Sequence, residues 1–90
     1  MNIIIVGAGE VGTHLATMLA KEYHDVVVID PDAEMLSQVA ATTDVVTFQG
    51  SATSISVLKD ANIKKADLFI AVAHSEETNI VSATLAKRLG

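Results

Sequence analysis

Ninety residues allow one small domain, and with half of them hydrophobic but only Tyr23, Phe48 and Phe69 aromatic, its core must be Ile, Val, Leu and Ala. Eleven acidic against six basic residues leave a formal charge of −5, which argues against nucleic acid and anionic membrane surfaces as partners, and the absence of cysteine excludes disulfides and thiolate metal sites. No apolar run suits a signal peptide or a membrane span, so the chain reads as a cytoplasmic domain that does not itself insert into a membrane.

The chain opens on MNIIIVGAGEVG. Four apolar residues in a row, Ile3 to Val6, predict a strand buried on both faces, as in the middle of a parallel sheet. Three glycines spaced G-x-G-x-x-G follow it. Gly7 lets the chain turn off the strand, Gly9 leaves room for a pyrophosphate against the backbone, and Gly12 lets the next helix lie close. That helix directs its free N–H groups at the loop, which makes an anion site. Val11, Leu15, Met18 and Leu19 recur at helical spacing and are expected as its buried stripe, with Met18 in the core.

Tyr23-His24-Asp25 connects to a second apolar run, Val26 to Ile29, which ends in Asp30 roughly 20 residues beyond the glycines. A carboxylate there suits the two hydroxyls of an adenosine ribose and would repel a 2′-phosphate, so NADP is disfavoured. The other reading of Asp30 is a capping carboxylate beside Pro31. Asp32 is placed to cap a second helix with Met35, Leu36 and Val39 inward, and Thr42-Thr43-Asp44 breaks it. A third strand over Val45 to Phe48 leads to the polar turn Gln49-Gly50-Ser51-Ala52-Thr53. Ser51 and Ala52 either line an adenine pocket or simply form a turn and cap.

A short helix is expected over Ser54 to Ala61, stopped by Asn62 in the left-handed region. Lys64-Lys65-Ala66-Asp67 leads into a fourth strand, Leu68 to Ala73, whose composition is that of an interior strand. Ser75 caps the last helix, with Glu76 and Glu77 in its first turn and Lys87 and Arg88 in its last. The order β-α-β-α-β-α-β-α predicts an α/β fold: a Rossmann-like three-layer parallel sheet, order 3-2-1-4, with helices on both faces. A full dinucleotide fold has six strands. Residues 1–90 therefore read as the N-terminal part of such a domain, truncated after the fourth strand–helix unit.

At the carboxyl ends of these strands the glycine loop, Asp30, the Gly50 to Thr53 turn and Ala73-His74-Ser75 should converge, at the point where strand order reverses. Glu10 would repel a pyrophosphate it faced, so it either points to solvent or helps to hold a cation, and it argues against a bare terminal phosphate. His14 and His24 read as surface residues. His74, at a strand tip, is a candidate ligand contact as a wall or donor, with no neighbour to orient it for proton transfer. No Ser/His/Asp, Cys/His or paired-carboxylate arrangement is visible, so catalysis is not expected.

GAGEVG at Gly7 to Gly12, VIDPD at the end of the second strand, FQGSAT at Phe48 to Thr53 and the tail ADLFIAVAHSEETNIVSATLAKRLG together resemble the TrkA-type, regulator-of-potassium-conductance (RCK or KTN) family of potassium uptake subunits. The tail pattern, Ala-Asp before a strand and Glu-Thr-Asn in the next helix, separates this family from ordinary dehydrogenases better than the glycines do. The resemblance implies a cytoplasmic regulatory domain that binds NAD(H), or alternatively ADP/ATP or AMP. It also implies a ring of like domains, a homo-oligomer, passing the ligand state to a membrane-embedded potassium channel or transporter and so held peripherally at the inner face of the membrane. Carried over residue by residue, Gly7, Ala8, Gly9, Glu10 and Val11 cover the phosphates and Asp30 the ribose. Ser51 and Ala52 flank the adenine, and Ala73 and His74 line the strand-four wall. The competing expectation is the cofactor half of an NAD-dependent oxidoreductase.

Overall fold

The computed structural model describes residues 1–90. Its elements are β1 (Asn2–Val6), α1 (Glu10–Lys21), β2 (Asp25–Asp30), α2 (Ala33–Thr42), β3 (Val46–Gln49), α3 (Ile55–Asp60), a 3₁₀ turn (Ile63–Lys65), β4 (Leu68–Ala71) and α4 (Glu76–Leu89). The four strands form one parallel sheet in the order β3-β2-β1-β4. Strand order thus reverses at β1, whose neighbours are β2 and β4, as the αβ alternation predicts.

β1 is apolar without a break because it is covered twice. Ile3 and Ile5 pack on one face with Val26, Val28, Leu36, Val39 and Ala16, under α1 and α2. Ile4 and Val6 pack on the other with Ile29, Leu58, Ile63 and Ala86, against the α3 and α4 side. Period-two alternation divides one short strand between two cores. The parallel register sets Ile5 beside Val28 on one side and Ile70 on the other.

Caps set the helix ends. The Asp32 carboxylate accepts the Glu34 and Met35 N–H groups at the start of α2, and Ser54 and Ser75 accept from Val57 and Thr78 at the starts of α3 and α4. Asn62 follows α3 in the left-handed region, φ 66° and ψ 46°, where it also opens the 3₁₀ turn that the sequence did not announce.

The inward face of α1 differs from expectation. Val11 and Met18 are 58% and 51% exposed, and the fully buried positions are Gly12 and Ala16, flanked by the partly buried Leu15, Leu19 and Ala20. Small residues hold the centre because the helix lies close to the sheet there. A stripe counted only on large side chains is therefore rotated by about one position. The third strand starts and ends one residue later than expected, and the fourth ends at Ala71 rather than Ala73. β4 is the edge strand that the order 3-2-1-4 implies, with Leu68 43% exposed, while Ile70 packs on the first core and Phe69 on the second.

Candidate functional site

The loop between β1 and α1 is held by backbone geometry that only glycine allows. Gly7 has φ 110°, and a Cβ there would lie 2.8 Å from the Ala73 backbone. A Cβ on Gly12 would overlap the Gly7 carbonyl oxygen, so the first turn of α1 folds directly onto the loop. Gly9 differs: a Cβ there would meet only the Met35 Cε, at 3.9 Å. Protein packing leaves that side of Gly9 open.

The Asp30 carboxylate fixes the loop from below. One oxygen accepts the Ala8 N–H and the other the Asp32 N–H, both at 2.8 Å. Asp30 thus sits at the strand tip facing the loop and also stabilises the entry to α2 beside Pro31. Each oxygen accepts one hydrogen bond and retains a second lone pair. Gly9, the N-cap of α1, offers no side-chain cap, and the first helical bond runs from Thr13 N–H to the Gly9 carbonyl at 2.9 Å. The N–H groups of Glu10, Val11 and Gly12 have no partner within the chain.

Over this loop lies a cleft of about 800 Å³. Of the residues picked out from the sequence, Gly7, Gly9, Glu10, Val11, Asp30, Ser51, Ala52, Ala73 and His74 line it. Ala8 and Gly12 lie beneath, Ala8 giving its N–H to Asp30 and Gly12 pressed on the Gly7 carbonyl. Ser51 is exposed, and its hydroxyl accepts from Thr53 N–H and pairs with the Thr53 hydroxyl at 2.6 Å. Ala52 is buried against the second core while still bordering the cleft. His74 is exposed on the rim. His14 is exposed away from the main cleft, and His24 is half-buried with its Nδ1 3.2 Å from the amino terminus.

Sequence reasoning passed over several contributors. Pro31, Asp32, Met35, Val72 and Thr78 also line the cleft. More informative is Asn79, whose amide clamps one residue of the wall. Its Oδ1 accepts the Ala73 N–H at 2.7 Å and its Nδ2 donates to the Ala73 carbonyl at 3.0 Å. A matching device stands at the other end of β4, where Asp67 accepts the Asn2 N–H at 2.7 Å through its carboxylate and donates its own N–H to the Asn2 carbonyl. The Ala-Asp and Glu-Thr-Asn patterns of the tail thus fasten the two ends of the fourth strand.

Residues 3–90 match the family model of the TrkA-N domain. The chain belongs to the TrkA-N family. It is similar to the Trk system potassium uptake protein TrkA homolog of Archaeoglobus fulgidus, 44% identical over 90 residues, covering 100% of this chain and 20% of that protein. The Pyrococcus abyssi homolog is 42% identical over 89 residues, 99% of this chain and 39% of its own length. The TrkA protein of Halomonas elongata is 39% identical over 89 residues, 99% of this chain and 20% of its own. This TrkA-N chain therefore spans between a fifth and two fifths of these relatives. Among solved structures it resembles the Kef C-terminal domain of Shewanella denitrificans in its AMP-bound form, with a TM-score of 0.81 and 20% identity over 98% of this chain and 52% of that one. That likeness bears out the Rossmann-like fold.

Proposed function

We propose that this TrkA-N domain binds an adenine nucleotide, NAD(H) or AMP/ADP/ATP, across the carboxyl edge of its sheet and relays the bound state to a membrane-embedded potassium transport subunit, catalysing no reaction itself. The observation that carries the reading is the unpartnered N–H groups of Glu10 and Val11, two residues at the start of α1 that line the cleft together with Asp30. Free helical donors suit phosphate oxygens, while a carboxylate at the second strand tip suits ribose hydroxyls. In this arrangement the Gly7–Val11 backbone covers the phosphates and Asp30 takes the ribose. Ser51 and Ala52 flank the adenine, with Ala73 and His74 as the wall.

Potassium transport enters through the relatives, which are named as Trk potassium uptake proteins, and the Kef domain similar in fold was solved with AMP. Those names favour the regulatory reading over the cofactor half of an oxidoreductase. The test is a calorimetric panel of NAD, NADH, AMP, ADP and ATP, together with an assay of NADH consumption with 2-oxo acids. Saturable binding without turnover is expected. Sustained turnover would overturn the regulatory reading, and no binding by any of the five would overturn the nucleotide site.

A further inference from the structure

Charge is divided between the two edges of the sheet. The cleft edge carries Glu10 in the first turn of α1, Asp30 at the tip of β2, Asp32 and Glu34 at the start of α2, and Glu76 and Glu77 at the start of α4. The six basic residues of the chain lie at the opposite edge, where they are offset by the other five acidic residues, Glu22, Asp25, Asp44, Asp60 and Asp67. Lys21, Lys59 and the Lys87-Arg88 pair occupy the last turns of α1, α3 and α4, and Lys64 and Lys65 are on the 3₁₀ turn. No Lys or Arg lines the cleft.

An anionic ligand there finds attraction only in short-range contacts, the free N–H groups of the β1–α1 loop. The longer-range field is repulsive, and the first-turn carboxylates offset the positive helix ends that would otherwise draw a phosphate in. We propose that the acidic rim makes this a charge-limited site, which prefers the adenine nucleotide with fewest phosphates and binds more tightly as ionic strength rises. The proposal rests on the nucleotide reading given above and names the ligand class and the regulation of that same site.

The magnitudes support it. Two like unit charges about 10 Å apart in water weaken association about twofold before screening, and the effect accumulates over several carboxylates and over each added phosphate. The screening length falls from about 10 Å at 0.1 M salt to about 3 Å at 1 M. Salt therefore removes the rim's repulsion while hydrogen bonds in contact with the phosphate are little affected. A nucleotide site that tightens with salt would report the rise in ionic strength that accompanies potassium accumulation.

The test is titration of AMP, ADP and ATP in EDTA at 0.05 and 0.5 M KCl, repeated in choline chloride, with wild type and the exposed-site variants Glu10→Gln and Glu77→Gln. AMP should bind more tightly than ATP at 0.05 M. ATP should gain about fivefold or more at 0.5 M in either salt, with a smaller gain for AMP. Each variant should raise ATP affinity more than AMP affinity at low salt. ATP as the tightest ligand at 0.05 M, affinities that fall with salt, or a gain confined to KCl would each overturn the charge limit while leaving the nucleotide site standing. No binding of any of the three at either salt would overturn the site itself and this inference with it.

Discussion

Gly9 and Asp30 separate the needs of the fold from those of a ligand. Gly7 and Gly12 are glycine because backbone atoms press on them, whereas Gly9 faces open space next to the free N–H groups. Gly9→Ala should therefore leave the circular dichroism spectrum unchanged and lower the melting temperature by only several degrees, the effect of Ala at an N-cap, while nucleotide affinity falls at least about tenfold, the methyl standing where phosphate approaches the backbone. Unchanged affinity in a folded variant would place the ligand elsewhere. Asp30 serves the fold as well, through Ala8 and Asp32, so truncation to Ala would loosen the loop. Asp30→Asn keeps only one of these two acceptors, so its fold is checked by circular dichroism beside the binding measurement. NAD(H) should bind wild type much more tightly than NADP(H), and the variant should lose about 1.5–3 kcal/mol of NAD(H) affinity, as expected for charge-assisted hydrogen bonds to ribose. Equal wild-type affinities for NAD(H) and NADP(H) would refute the ribose role.

At the scale of elements, β4 is short and carried on two polar anchors. Asn79 satisfies both backbone groups of Ala73, just beyond the strand, and holds the strand's exit against α4. Asn79→Ala strands a part-buried donor and acceptor, so unfolding in urea should show a loss of about 1–3 kcal/mol. Nucleotide affinity should fall with it, because Ala73 and His74 form the wall. A stable variant with a displaced wall would separate the two effects, and full stability with full affinity would show that water replaces the clamp. These anchors explain what was and was not legible in the sequence. Strand order, helix caps and the convergence of the glycine loop with Asp30 follow from period, punctuation and connection length, all of them local signals. The buried face of α1 did not, because its centre is Gly12 and Ala16, and close approach of helix to sheet is a tertiary property. Asn79 stood in view within the tail pattern, yet its role depends on a bond across six positions of chain to Ala73.

For the whole molecule the outer side of β4 is the exposed question. It ends the sheet beyond β1 and carries no proline, charge or bulge from Leu68 to Ala71 to discourage pairing. On the adjoining α4, Ile80 is 63% exposed. The 90-residue chain is expected to associate through β4 and α4 as concentration rises, with sedimentation velocity across a dilution series as the measurement. Ile80→Lys is the suitable control, since Phe69 packs against the second core and a charge there would damage the fold. A monomer at every concentration, in wild type and variant alike, would show that this edge does not pair.

The central claim is that the free N–H groups of the β1–α1 loop, beside Asp30, receive a nucleotide. Amide resonances report those groups one by one, and a domain of 9.4 kDa suits the method. Titrating AMP or NADH into ¹⁵N-labelled protein should shift the amides of Gly9, Glu10, Val11 and Gly12 most, with smaller shifts at Asp30, Ser51-Ala52 and Ala73-His74. Saturating shifts confined to the opposite edge of the sheet, or none at millimolar ligand, would contradict it.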